Sequence, residues 1–428
     1  MLHFTRVLFA AALAACSHGG GGGSFSFTST PATSTAIRSS WQYQATTGNA
    51  PGAVTYSLLQ GPVGATMSSD GLLSWTPTYA DLGTHTLIVR ATAANTAIDQ
   101  SLALRVHQGL QMGVGLSPRG HTGSSTTPDY EAHLDPDSPH GRARGFHTAW
   151  RDSVANGGQI PPLLTVGMSF ASTYGIEPGY VIGWADGNGA PDLTSDSNPS
   201  DNSWNNAETR SEFLAMVTAF AAAATPEHLF LGNEVNAYYN THSQPEWDAW
   251  ISEYEACYDA IATVSPDTQV GMVFQLEMLK GLGGNTGWSW AAQWSLVDAL
   301  VASGRVDVIG FTSYPYLHYD LRTDVPSGYY DEIAAHWTGP VAFTEIGWLA
   351  TAHPPYPGDE TDQALFVGDF FAATANLDLA YVAWLFLHDW DGQASTIAFA
   401  DIGLRNNDGS VIRMADMAWR VEVALRQR

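Results

Sequence analysis

The sequence predicts a multi-domain chain, a small all-β sandwich followed by an eightfold (β/α)8 barrel of the TIM type. Three observations predict it. Residues 25–108 carry short alternating runs separated by turn residues, the period-two rhythm of half-buried strands. Residues 109–428 switch to continuous apolar runs separated by helical patterns, the rhythm of a parallel sheet covered by helices. Two of those runs end abruptly in carboxylates, Glu234 and Glu345, and an ionised side chain at a strand end belongs at an opening, because burying it unpaired costs several kcal/mol.

Composition narrows the function. The 428 residues suffice for two or three domains with a sizeable core. Acidic residues number 42 against 17 basic ones, and Lys280 is the single lysine. A net charge of −25 argues against nucleic acid as a partner, since that binding needs clustered cations to displace counterions. It argues equally against electrostatic adhesion to anionic lipid or acidic polysaccharide. The 15 Trp and 17 Tyr offer flat rings of the kind sugar faces stack on, although each serves equally well as core filler. With two cysteines, Cys16 and Cys257, no disulfide framework or zinc spacing can be built, and no cofactor is implied. Cys257 shares a helical face with Trp250, Tyr254 and Tyr258 and reads as buried filler.

In chain order, residues 1–15 have Arg6 and then a short apolar stretch, too short to span a bilayer and shaped like an export signal. Leu13-Ala14-Ala15-Cys16 resembles the bacterial lipobox, which implies lipidation of Cys16 and an exported lipoprotein at the outer membrane or cell surface. The alternative is an ordinary signal cleaved after Ala15. Residues 16–24 are a Gly-rich tether. In 25–108, Asp70-Gly71 ahead of Leu72-Leu73-Ser74-Trp75 marks a hairpin. Together with Gly61-Pro62, Trp75-Thr76-Pro77 and Asp81-Leu82-Gly83, this segment resembles the Ig-like, cadherin-related modules of bacterial surface proteins, which implies a spacer.

In the barrel, strand one is expected at Leu110–Leu116 and strand three at Pro162–Met168. Strands four to eight are expected to begin at Leu229, Gln269, Val306, Val341 and Leu379. Strand two is unclear; Ala143–Thr148 supplies it or begins a helix. Helices are expected at 208–224, 245–264, 288–303, 329–337, 360–375 and 414–425. The stretch 174–206, rich in Gly, Asp, Asn and Ser, reads as a long solvated loop whose acidic spacing fits no calcium-ligand pattern.

Catalytic groups of such barrels sit at the carboxyl ends of strands, so Glu234 and Glu345 face one mouth. Paired carboxylates without a metal-ligand cluster suit glycosidic bond cleavage. Gly232-Asn233-Glu234, Thr344-Glu345-Ile346-Gly347-Trp348, Ser313-Tyr314-Pro315-Tyr316 and Trp384 before His388-Asp389 resemble the large clan A of retaining (β/α)8 glycoside hydrolases. The resemblance implies Glu234 as acid/base, Glu345 as nucleophile, Asn233 on the sugar 2-hydroxyl, Tyr314 holding the nucleophile and Trp384 flooring the subsite. Trp348, Tyr316, Trp390, Trp204 and His388 are further candidates to line a cleft. The arginine that the clan places near strand two has only Arg144 and Arg119 as candidates, and its histidine after strand three is missing. The tether, spacer and aromatics favour endo-action on a neutral polysaccharide; β-galactan, β-mannan, β-glucan and β-xylan stay open. A catalytically silent glycan-binding lipoprotein on the same fold is the alternative. Oligomeric state is not legible.

Overall fold

The computed structural model describes residues 24–426 apart from 38, 79–80, 82, 108, 118, 121–137, 151–158, 185–190, 196–197, 288 and 390–396. The chain divides into two compact units between Val106 and His107. The export signal, Cys16 and all of the tether but Ser24 lie outside the described residues.

The first unit is built from antiparallel sheets. The larger two have the orders Ser34–Ala36, Thr96–His107, Gly83–Ala93, Val54–Gln60 and Trp41–Gln44, Leu72–Trp75, Thr66–Met67; Ser26–Phe27 pairs with Thr47–Gly48 in a third. The hairpin expected at Asp70-Gly71 forms, with Met67 opposite Leu73 and Gly71 at a φ of 101°. Residues of both larger sheets, among them Trp41, Tyr43, Leu73, Trp75, Leu87, Val89 and Leu104, share one apolar core. Trp41 and Trp75 are therefore core residues, and the Trp75 indole N–H is satisfied by the Val63 carbonyl at 3.2 Å.

The second unit is a closed parallel barrel. Its strands are β1 (Gln111–Gly115), β2 (Ala143–Ala149), β3 (Glu177–Gly183), β4 (His228–Leu231), β5 in two pieces (Gln269–Gly271 and Val273–Gln275), β6 (Ile309–Ser313), β7 (Pro340–Ile346) and β8 (Asp378–Trp384). Each pairs with its neighbours in sequence, β8 closes on β1, and the step at Met272 lets β5 pair with β4 through one piece and β6 through the other. Apolar residues fill the inside of the barrel, where Ala143, Val181, Phe230, Val273, Val308, Ala342, Tyr381 and Ala383 form one cluster.

Strand three differs from the sequence expectation. Pro162–Tyr174 is a helix, α1, with proline in its first turn, where its fixed φ suits the helix and no N–H is missed. Leu164 and Gly167 are buried while Leu163 and Val166 are 37% and 40% exposed, a helical stripe and not a buried strand. The true β3 lies inside the stretch expected as loop. Glu177-Pro178-Gly179 looks like a turn, but a Cβ at position 179 would stand 2.6 Å from the Tyr381 ring, so glycine there makes room for the barrel interior. The remainder of that stretch sends Trp184, Leu193 and Trp204 into the core. Ala143–Ala149 is strand two.

The helices α2 (Ala207–Ala224), α3 (Val235–Thr241), α4 (Gln244–Val264), α5 (Leu276–Leu279), α6 (Trp294–Ser303), α7 (Ile333–His336), α8 (Glu360–Ala373) and α9 (Met414–Arg426) follow. Asn206 caps α2 through Thr209 N, and Ser243 with Glu246 forms a capping box on α4.

Candidate active site

Local backbone features aim the two carboxylates. At the end of β4 the chain reverses through Gly232 at a φ of 85°, where a Cβ would meet Val235 at 2.4 Å and Trp184 at 2.5 Å. Glu234 then takes a left-handed conformation, φ 49°, at the N-cap of α3. Left-handed backbone in a non-glycine residue costs of the order of 1 kcal/mol and persists where the surroundings over-determine it. Asn236 supplies part of that constraint, exchanging two 2.9 Å hydrogen bonds with the backbone of Gln275.

Glu345 owes its direction to an irregularity. Phe311 stands opposite Phe343, but Thr312 stands opposite Glu345, so Thr344 is an extra residue in β7. Phe343 packs outward on Tyr330 and Phe370 of the outer layer. Strict alternation would send Glu345 outward as well, and the bulge reverses the parity. Glu345 now shares a face with Thr312.

The pair is held by unequal donor sets. Among the described residues, Glu234 Oε1 accepts one bond, from Thr312 Oγ1 at 2.6 Å. Glu345 accepts from the Tyr314 hydroxyl on Oε2 and from the Asn233 amide, and His147 Nδ1 stands 3.1 Å from its Oε1. Burial and the charge of Glu345 push Glu234 up to about 7, against the bond from Thr312. Burial raises Glu345 too, but the bonds from Tyr314 and Asn233 oppose it. Donors aimed at one member favour charge there, so Glu345 is the ionised partner and Glu234 keeps the proton. Burial and the neighbouring Glu345 hold Tyr314 well above the usual phenol range, so it stays a donor. Burial lowers the His147 imidazole below its ordinary value.

The structure brings Asn233, Glu234, Tyr314 and Glu345 together. His147 and Thr312 join them without having been singled out in the sequence. His147 was findable, because it lies on the same face of β2 as the interior residue Ala143, one pleat below the mouth. The arginine candidates are elsewhere. Arg144 is buried with its guanidinium on the carbonyls of Gly141 and Ala143, both at 2.7 Å, and Arg119 lies beside Gly409.

The expected stacking residues fare differently. Trp384 is fully buried; Ala383 faces the interior, so Trp384 turns outward onto Phe366 and Trp419, with its N–H on the Ile402 carbonyl at 2.8 Å. It presents no face to a sugar. Trp348 packs between Tyr316 and Phe366, the Tyr316 hydroxyl is taken by the Ala398 carbonyl, and Trp204 sits against Trp184 and Trp250. His388 is buried, tying the exit of β8 to Ser117 through its backbone N–H at 2.9 Å. Trp390 lies outside the described residues. Among the described residues no group of three or more His, Cys, Asp or Glu could hold a metal ion.

The parallel barrel is a fold found among glycoside hydrolases of known structure. The chain is similar to a family 39 glycoside hydrolase from the gut symbiont Bacteroides cellulosilyticus WH2, at TM-score 0.51 and 17% identity, over 94% of this chain and 83% of that one. It is also similar to an exo-β-1,4-mannosidase from Opitutaceae bacterium strain TAV5, at TM-score 0.52 and 16% identity, over 74% of this chain and 60% of that one. At these identities the likeness is one of fold. No protein-family model and no curated protein matches the sequence.

Proposed function

We propose that the barrel is a retaining β-glycosidase working by double displacement. The observation that carries this reading is the unequal pair: Glu345 accepts from Tyr314 and Asn233, Glu234 from Thr312, an arrangement that favours the charge on Glu345 and the proton on Glu234. A Glu345 oxygen attacks the anomeric carbon while Glu234 gives its proton to the departing glycosidic oxygen. Glu234, now ionised, takes a proton from water, the water oxygen attacks the same carbon, and Glu345 leaves as carboxylate. Asn233 Oδ1 finds no hydrogen-bond partner among the described residues, and in this reading it is the acceptor for the sugar 2-hydroxyl. Time-resolved NMR of the first product is the test. A β-linked substrate should release the β-anomer first; initial α-anomer means inversion and ends the proposal.

The finer parts are also ours. A neutral glycan fits a protein whose charge of −25 repels uronates. The buried rings of Trp348, Trp384, Tyr316 and Trp204 no longer argue for a stacking cleft, so endo-action rests on the tether and spacer alone. The exo-enzyme of like fold gives the opposite precedent. Chromatography of early digests decides: oligosaccharides of several lengths support endo-action, and monosaccharide alone replaces it with exo-action. The first unit serves in this reading as an Ig-like spacer. Lipidation at Cys16 would put the protein in the membrane fraction, and Cys16→Ser would release it or block maturation. A wild type found wholly in the soluble fraction rules the anchor out.

A further inference from the structure

Behind the pair lies a third carboxylate with no part in the two chemical steps. Glu277, in α5 just after β5, is fully buried. Its Oε1 accepts from Ser313 Oγ at 2.8 Å, Tyr314 N at 3.0 Å and the Tyr329 hydroxyl at 2.9 Å, and its Oε2 accepts from Gln275 Nε2 at 2.5 Å. Among the described residues no cation pairs with it. The nearby Lys280 ammonium goes to the Tyr329 carbonyl at 2.8 Å and to Glu332 at 3.2 Å, and Tyr316, Tyr319 and Tyr330 complete the surroundings. A buried carboxylate without a counter-ion is a costly way to fill a core. It does offer one thing a neutral side chain cannot match as well, an oxygen able to gather three donors at once.

Those donors come from one short segment and the tyrosine behind it. Thr312 holds Glu234, Tyr314 holds Glu345, and Ser313 between them is held by Glu277 together with the Tyr314 backbone. We propose that Glu277 is a positioning residue that clamps the segment Thr312–Tyr314 and so aims the two hydroxyls that hold the catalytic pair. This inference rests on the glycosidase reading for its kinetic consequences, but its geometry stands on the bonds themselves.

The isosteric change Glu277→Gln makes the test sharp. The new NH2 must face either the three donors or Gln275 Nε2. Gln275 cannot readily turn over, because its Oε1 already accepts from Met278 N. The double variant Gln275→Glu/Glu277→Gln restores a donor facing an acceptor. Glu277→Gln should lower kcat about 10²-fold, the scale of a roughly 1 Å misplacement, with KM little changed. The acid limb of the rate profile should move to higher pH, because Glu345 loses the Tyr314 bond that lowers its pKa. The double variant should recover most of the loss.

A 13C-NMR titration of Glu345 needs no turnover and should show the same upward shift in Glu277→Gln. A wild type that cleaves nothing therefore removes the glycosidase reading and leaves this one still decidable. An unmoved Glu345 titration in a folded Glu277→Gln, or a folded double variant as impaired as the single one, overturns the proposal. If Glu277→Gln does not fold, Tyr329→Phe is read in its place, since it deletes one donor to the same oxygen. An unshifted Glu345 there overturns the proposal equally.

Discussion

Glu345→Ala should fold and bind glycan yet lose turnover by on the order of 10⁴-fold or more, as removal of one member of a catalytic unit does. The site left behind is not inert. The Tyr314 hydroxyl and the Asn233 amide still converge on the vacated volume, and with the carboxylate gone they form a small set of donors suited to an anion. Added azide or formate should therefore enter, attack the anomeric carbon and restore part of the rate. Because this replaces two displacements by one, the adduct from a β-glycoside should be the α-glycosyl azide. Anion rescue with that configuration, read by NMR of the isolated adduct, identifies Glu345 as nucleophile. A Glu345→Ala chain that keeps a tenth of wild-type activity without added anion sinks the assignment.

The second large effect is on pH and needs no substrate for half of its reading. Glu234 must carry a proton to act as acid, and its value near 7 puts the alkaline limb of kcat/KM there. Thr312→Val removes a bond to the charged form, so the limb should move to higher pH. The same shift is a stability statement. The folded value lies above the ordinary 4.5, so the contribution of Glu234 is fully present below pH 4.5 and is lost as pH rises through about 7. At 1.36 kcal/mol per unit that amounts to a few kcal/mol. Burial also raises Glu253 and Glu277, so the wild type alone does not isolate the effect. The difference between wild type and Glu234→Gln in urea titrations does. That difference should grow in favour of the variant from pH 4.5 to 7 and stay flat above; a constant difference contradicts the buried acid.

Much of this was legible in the chain itself. Strands four and seven are apolar runs that end in Glu. Pro162–Met168 deceived because a short apolar run is the same for a buried strand and about two turns of a helix; the exposure of Leu163 and Val166 exists only after packing. Glu177-Pro178-Gly179 hid a strand because its glycine answers to Tyr381, roughly two hundred residues away. Trp384 was expected at the mouth from its strand, whereas its face depends on the pleat, and one position of phase separates the cavity from the helices. Glu277 has no motif. Its partners Ser313 and Tyr329 meet it only through the barrel.

The extra residue Thr344 has a consequence for how the chain finds its fold. A strand of period two has two ways to face the barrel, and in β7 the bulge makes the choice visible as a charge. Paired without the bulge, β7 would press Glu345 into the layer that holds Phe366 and Phe370, at several kcal/mol for the unmatched carboxylate. That misalignment is excluded by cost before any substrate is involved. The carboxylate thus doubles as a frame marker for its own strand, which pairs in the register that turns Glu345 inward beside Thr312.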